Sequence, residues 1–246
     1  MHISSRVDVE AYNSLCDVET ANRRLLAKGR AEALGRLGEA ILRHGLESEL
    51  GIRLLHKHVT ITPAEVMLER EEIDALGRHC LTSAPAGAES SSAHPNTWRL
   101  QRDGGFGAVE LTHDHTSPAA SSLPLDFLSE FAAGLKACEA EDLLALWLAP
   151  SAFYRHRAHE DEILVEISSE QRRATVVRFA DPGEYPRTTL IETSWRVART
   201  DFEPTNNCSF YCAGNCIPMT ACVTGPNGHD RVSHHDKRHV KLHGGR

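Results

Sequence analysis

The chain has 246 residues, 41 % of them hydrophobic, which is enough for one large domain or two small ones with a real core. Its formal net charge of −7 argues against a surface that binds nucleic acid by neutralising phosphates. No apolar run reaches the roughly 18 residues of a membrane span, and the opening "MHISSRVDVEAYNSL" lacks the apolar stretch of a secretory signal.

The expected location is therefore the cytoplasm. There the seven cysteines stay reduced, and an odd number suits a disulfide framework poorly.

Residues 20–45 read as a helix, with Leu34, Leu37 and Ile41 on one stripe and Gly45 as the left-handed stop. "GIRLLHKHVTIT", residues 51–62, reads as a strand ending before Pro63, and 66–69 as a short strand turning back. Residues 81–95 are rich in Ala, Ser, Pro and Gly and are expected to form a mobile loop. Asp103-Gly104-Gly105, between strand-like runs, marks a β-hairpin.

A helix follows over "PLDFLSEFAAGLKAC", with Leu128, Phe131, Leu135 and Cys138 on one stripe and Pro124 in its first turn. The apolar run 143–150 is either a buried strand or the end of that helix. Strands over 162–168, 174–180 and 188–198 suggest an antiparallel meander.

This order predicts an α+β fold with a mostly antiparallel sheet and helices packed on one face. It occupies residues 1–203. Residues 204–246 form a separate, irregular segment rich in Cys and His.

Metal-ligand residues dominate the chemistry. On a strand, His56 and His58 point the same way and continue the face of Ile52 and Leu54, opposite Arg53 and Lys57. Two imidazoles about 7 Å apart along a strand can converge on one ion. His113 shares a face with Val109 and Leu111, and His115 joins it if the strand extends that far. Such pairs also arise as ordinary half-buried, hydrogen-bonded histidines. His156 and His159 read as part of a solvated turn. Glu65, Glu69 and Glu110 lie near the histidine pairs as ligands, general bases or plain strand-edge charges.

Cys208, Cys212, Cys216 and Cys222 cluster near the end of the chain, with Gly214-Asn215 and Gly225 supplying bends. Their spacing is wider than the usual zinc knuckle and matches no usual iron–sulfur pattern. A thiolate-rich site prefers zinc or copper(I). At least two of the four are expected to share an ion that ties down a chain end poor in core-forming residues. Free tail cysteines and a disulfide remain the other readings. The histidine-rich end adds ligands or is a loose tail.

There is no nucleophile elbow, P-loop or dinucleotide fingerprint. "GIRLLHKH" early and "SWRV" with three later cysteines resembles uncharacterised proteins encoded in fungal and bacterial genomes, a likeness that implies no activity. His-x-His on a strand is also similar to cupins, but Glu65 lies too far from His58 for their pattern, and their second motif is missing.

The expectation is a metal-dependent enzyme acting on a small molecule, with zinc or, alternatively, iron(II) or copper. The rival readings are a non-catalytic module with a structural cysteine–zinc site and a metal storage or delivery protein that uses the tail.

Overall fold

The computed structural model describes residues 2–74, 77–83, 93–113, 123–148, 163–181, 183–185, 190–197 and 216–223. His115, His156, His159, Cys208, Cys212, most of the expected loop 81–95 and the histidine-rich end lie outside the described residues.

The chain opens with β1 (Ile3–Val7) and a one-turn helix α1 (Val9–Asn13). The helix expected over 20–45 is two helices, α2 (Val18–Ala27) and α3 (Arg30–Arg43). Asp17 caps α2 by accepting from the Thr20 amide at 2.7 Å. Gly29, at φ +86°, breaks the helix, because a left-handed residue cannot continue the right-handed ladder. Gly45 closes α3 as expected, with Leu46 N–H donating to Ile41 O and Gly45 N–H to Leu42 O.

The strands are β2 (Leu50–Leu54), β3 (Met67–Asp74), β4 (Gly77–Ser83), β5 (His94–Leu100), β6 (Phe106–Thr112), β7 (Leu144–Leu148), β8 (Ile163–Ser169), β9 (Ala174–Ala180), β10 (Leu190–Val197) and β11 (Cys216–Val223). Helix α4 (Leu125–Ala137) stands between β6 and β7, so the apolar run at 143–150 is a strand.

The hairpin at Asp103-Gly104 forms as expected. β5 and β6 pair antiparallel, and Gly104 takes φ +85° in the turn.

The sheet closes on itself. Its ten-stranded ring runs β6-β3-β4-β9-β8-β11-β10-β2-β7-β5 and returns to β6, with β1 added beside the first half of β6. Pairings β1–β6, β3–β6 and β8–β11 are parallel and the others antiparallel, so the fold is α+β with a mostly antiparallel sheet.

Several expectations about the strands need correction. The short strand expected over 66–69 is the eight-residue β3, which does not turn back on β2 but pairs with β4 and β6. β2 ends at Leu54, well short of residue 62, because the chain leaves the ladder there: Leu55 N–H bonds Leu143 O and Lys57 N–H bonds Cys16 O, both at 2.8 Å. β8 and β9 form a hairpin, but β10 does not continue a meander, because β4 takes the outer edge of β9. β10 sits instead between β11 and β2. β11 lies inside the segment expected to be irregular and separate, yet it is a ring strand between β8 and β10. A strand with partners on both edges needs no polar–apolar alternation to be held.

The helices cover one side of the ring. Leu34, Leu37 and Ile41 of α3 and Phe127, Phe131 and Leu135 of α4 share a buried core with Leu50, Ile52 and Leu54 of β2 and Leu144, Leu146 and Leu148 of β7. The alternate residues Arg53 and Trp147 turn the other way, and the guanidinium lies 4.6 Å from the indole ring centre.

A second apolar cluster joins Tyr12 and Leu15 to Leu55, Val59, Ile61, Met67, Val109 and Ala145. Asn13 ties the α1 region to the segment after β2, donating to Ile61 O at 2.7 Å and accepting from Ile61 N–H at 3.0 Å. No helix among the described residues is long and apolar enough to cross a membrane.

Candidate metal centre

A polar cluster fills the middle of the ring. Arg53 on β2 reaches Glu69 on β3 at 3.4 Å and Glu110 on β6, and neither strand neighbours β2. These contacts therefore cross the lumen. All three side chains are buried, as are His56, His58, Glu166, Ser168, Thr175 and Thr193. Burial on this scale without partners would be prohibitive, so the contacts of each group matter.

His56 and His58 lie in the irregular segment after β2. The expected strand alternation therefore does not place them, and they do not continue the face of Ile52 and Leu54, which packs against the helices. They enter the lumen on the Arg53 side because the chain turns out of the sheet after Leu54. His58 N–H donates to the Tyr12 phenol oxygen at 3.2 Å, which anchors the turn to α1. The two imidazoles meet at 4.5 Å between ring centres, 68° apart in plane.

Glu166 comes from the middle of β8. Its Oε1 lies 2.9 Å from His56 Nε2 and 3.1 Å from His58 Nδ1, and its Oε2 accepts from the Thr193 hydroxyl at 3.0 Å. His56 Nδ1–H donates to Leu54 O at 2.9 Å, which leaves Nε2 as the nitrogen facing the group. His58 Nε2 lies 3.0 Å from Glu110 Oε1. Ser168 Oγ stands 3.4 Å from His58 Nδ1 and 2.7 Å from Thr175 Oγ1.

His56, His58 and Glu166 thus each offer a donor atom, and all three atoms lie within 4.8 Å of one another. Zinc–nitrogen and zinc–oxygen bonds of about 2.1 Å require donors about 3.4 Å apart in a tetrahedron, so the two carboxylate–imidazole distances of 2.9 and 3.1 Å need to open by only a few tenths of an ångström.

Charge points the same way. With both imidazoles neutral, Arg53, Glu69, Glu110 and Glu166 sum to −2, the charge one divalent cation balances. Without an ion, protons must do that work. Burial disfavours a charged His58, but the charges of Glu166 and Glu110 and the hydrogen bonds to both outweigh it and push its pKa up to about 10. Burial likewise opposes ionisation of Glu110, yet Arg53 and His58 hold it down at about 2. Glu166 is held well below the usual carboxylate range by His56 and His58, again against the effect of burial. The Tyr12 phenol is driven upward by burial and by the charge of Glu110.

The other expected ligands fall elsewhere. His113 follows β6 as a half-buried residue, with its N–H 3.4 Å from Glu69 O, and is not part of the group. Cys216 and Cys222 stand at opposite ends of β11, about 20 Å apart at the usual strand rise, so they do not share one ion. Cys222 is buried in the apolar core under the helices, and burial, aided by the charge of Glu166, pushes its thiol well up, away from the thiolate a metal needs. Glu65 pairs with Arg173 at 2.6 Å at the surface.

Reading the sequence for ligands missed Glu166. Its signal is a lone carboxylate within "ILVEISS", a run otherwise free of charge and destined for a strand. Glu110, noted only for its nearness to a histidine pair, proves to partner the other pair instead.

Compared with protein-family models, curated proteins and solved structures, the chain has no match.

Proposed function

We propose that the protein is a metal-dependent enzyme acting on a small molecule, with the ion held by His56 Nε2, His58 Nδ1 and Glu166. The observation that carries this reading is the convergence of these three donors in a buried, net-negative lumen. Three protein ligands leave a coordination position for water or substrate, whereas structural zinc sites usually use four. Two imidazoles and a carboxylate suit zinc or iron(II). An ion there would polarise a bound oxygen. The chain's own part is to fix the ligands and to line their surroundings with hydroxyls, Thr193 3.0 Å from Glu166 and Ser168 3.4 Å from His58 Nδ1.

A non-catalytic module clamped by a cysteine–zinc site has less support, given the separation of Cys216 and Cys222 along β11.

Elemental analysis of protein purified without an affinity tag tests the proposal. The expected result is close to one transition-metal ion per chain, lost in His56→Ala. Metal that survives His56→Ala would place the site elsewhere, and protein that neither carries nor takes up metal would refute the reading.

A further inference from the structure

We infer that Glu110, clamped by Arg53, is a positioning residue that assigns the ligating nitrogen of His58. This rests on the reading of His56, His58 and Glu166 as a metal site. A neutral imidazole carries one N–H, and whichever nitrogen bears it cannot bind an ion. His58 presents Nδ1 to the group and Nε2 to Glu110 Oε1 at 3.0 Å. An ionised carboxylate only accepts hydrogen bonds, so Glu110 demands the proton on Nε2; once an ion takes up Glu166, the carboxylate 3.1 Å from Nδ1, that nitrogen is left bare. For His56 the same task falls to a backbone carbonyl, Leu54 O on Nδ1, and the bare nitrogen is Nε2. The two histidines thus offer opposite nitrogens, which lets residues two apart in an irregular segment converge on one point.

Glu110 does not itself ligate in this arrangement, because it sits on the far side of the imidazole from Nδ1. Nor is it free to turn. Its Oε2 is held by Arg53 and by the Thr97 hydroxyl at 3.1 Å. Arg53 is in turn fixed by Glu69 at 3.4 Å, Thr97 Oγ1 at 3.3 Å and the face of Trp147. This anchoring spans four strands, β2, β3, β5 and β6, plus the β7 tryptophan. It is more than charge neutralisation of one arginine requires, since Glu69 already stands beside the guanidinium.

Glu110→Gln separates positioning from a structural role. An amide has a single acceptor oxygen where the carboxylate has two. The charged guanidinium and Thr97 retain that oxygen, because charge-assisted bonds are the stronger ones. The amide N–H groups then face His58 Nε2, which must give up its proton, so the proton the ring keeps is the one on Nδ1 facing Glu166, the wrong nitrogen for the ion.

The experiment uses the full chain with cadmium(II) as the probe, isotope-labelled so that scalar coupling between the metal and each imidazole nitrogen is read by NMR. In the wild-type protein we expect coupling to His56 Nε2 and His58 Nδ1. In Glu110→Gln we expect cadmium affinity to fall tenfold or more and the His58 coupling to vanish or switch to Nε2, with His56 coupling kept.

Coupling to His58 Nε2 in the wild-type protein overturns the inference, and this measurement decides the matter even where the variant does not fold. Wild-type affinity and unchanged coupling in Glu110→Gln overturn it too, while leaving the metal site standing. Failure of the wild-type protein to bind cadmium overturns both.

Discussion

Glu166→Ala in metal-free protein tests whether the lumen is built around this carboxylate. Glu166 is buried, faces His56 Nε2 at 2.9 Å and His58 Nδ1 at 3.1 Å, and accepts from Thr193 at 3.0 Å. Truncation removes the carboxylate that lies between the buried His56 and His58 rings, leaving His58 with Glu110 and the Thr193 hydroxyl with Thr220. Removing one member of a buried ionic cluster costs about 3–5 kcal/mol. The penalty is bounded because His58 can release a proton instead of staying charged, each pKa unit surrendered being worth about 1.36 kcal/mol. At about 2–4 °C per kcal/mol for a chain of this size, the melting temperature should fall by about 6–20 °C. Circular-dichroism melts at neutral pH with excess chelator measure this. Zinc added in place of chelator should raise the wild-type melting temperature and leave the variant unmoved. A variant that melts within about 2 °C of wild type in chelator would show that the cluster does not form without metal, and the charge argument for the site would fail with it.

The metal-free protein should also show a defined pH profile. His58 has a raised pKa, so its contribution is complete below about pH 6.5 and disappears as pH rises through about 10. Glu110 has a depressed pKa, so its contribution is complete above about pH 4.5 and disappears as pH falls through about 2. Thermal melts across this range should therefore plateau between about pH 4.5 and 6.5, with an alkaline decline that His58→Asn flattens; an unchanged alkaline limb in that variant would contradict the assignment. Gly29→Ala meets only an ordinary contact with Glu32 Cβ at 4.0 Å but places a side chain at φ +86°, so it should cost about 1–2 kcal/mol of stability by chemical denaturation without altering metal content. A neutral effect would mean that the α2–α3 junction relaxes out of the left-handed region.

Local chemistry made several elements legible from the residues alone. Asp103-Gly104 predicts its hairpin because few residues tolerate the positive φ that the turn imposes at Gly104. The stripe Leu128, Phe131 and Leu135 predicts α4, and all three are buried where the 3.6-residue period places them. The close pairing of His56 with His58 also shows in the sequence, since proximity along the chain survives whatever the chain does next. Their direction does not. It depends on the chain leaving the sheet after Leu54, a choice made by Leu143 and Cys16 carbonyls far away in sequence.

Only the tertiary structure supplies Glu166, which lies 110 residues from His56 and reaches it because the ring carries β8 to face the segment after β2. It also decides the placing of Cys216 relative to Cys222. The pull of β8 and β10 on an apolar run makes 216–223 a strand, and a strand holds its two end cysteines too far apart to share an ion. Closure of the sheet has the same origin: backbone hydrogen bonds between distant strands carry no local signature, so the lumen, and every charge gathered in it, exists only once the ring is complete.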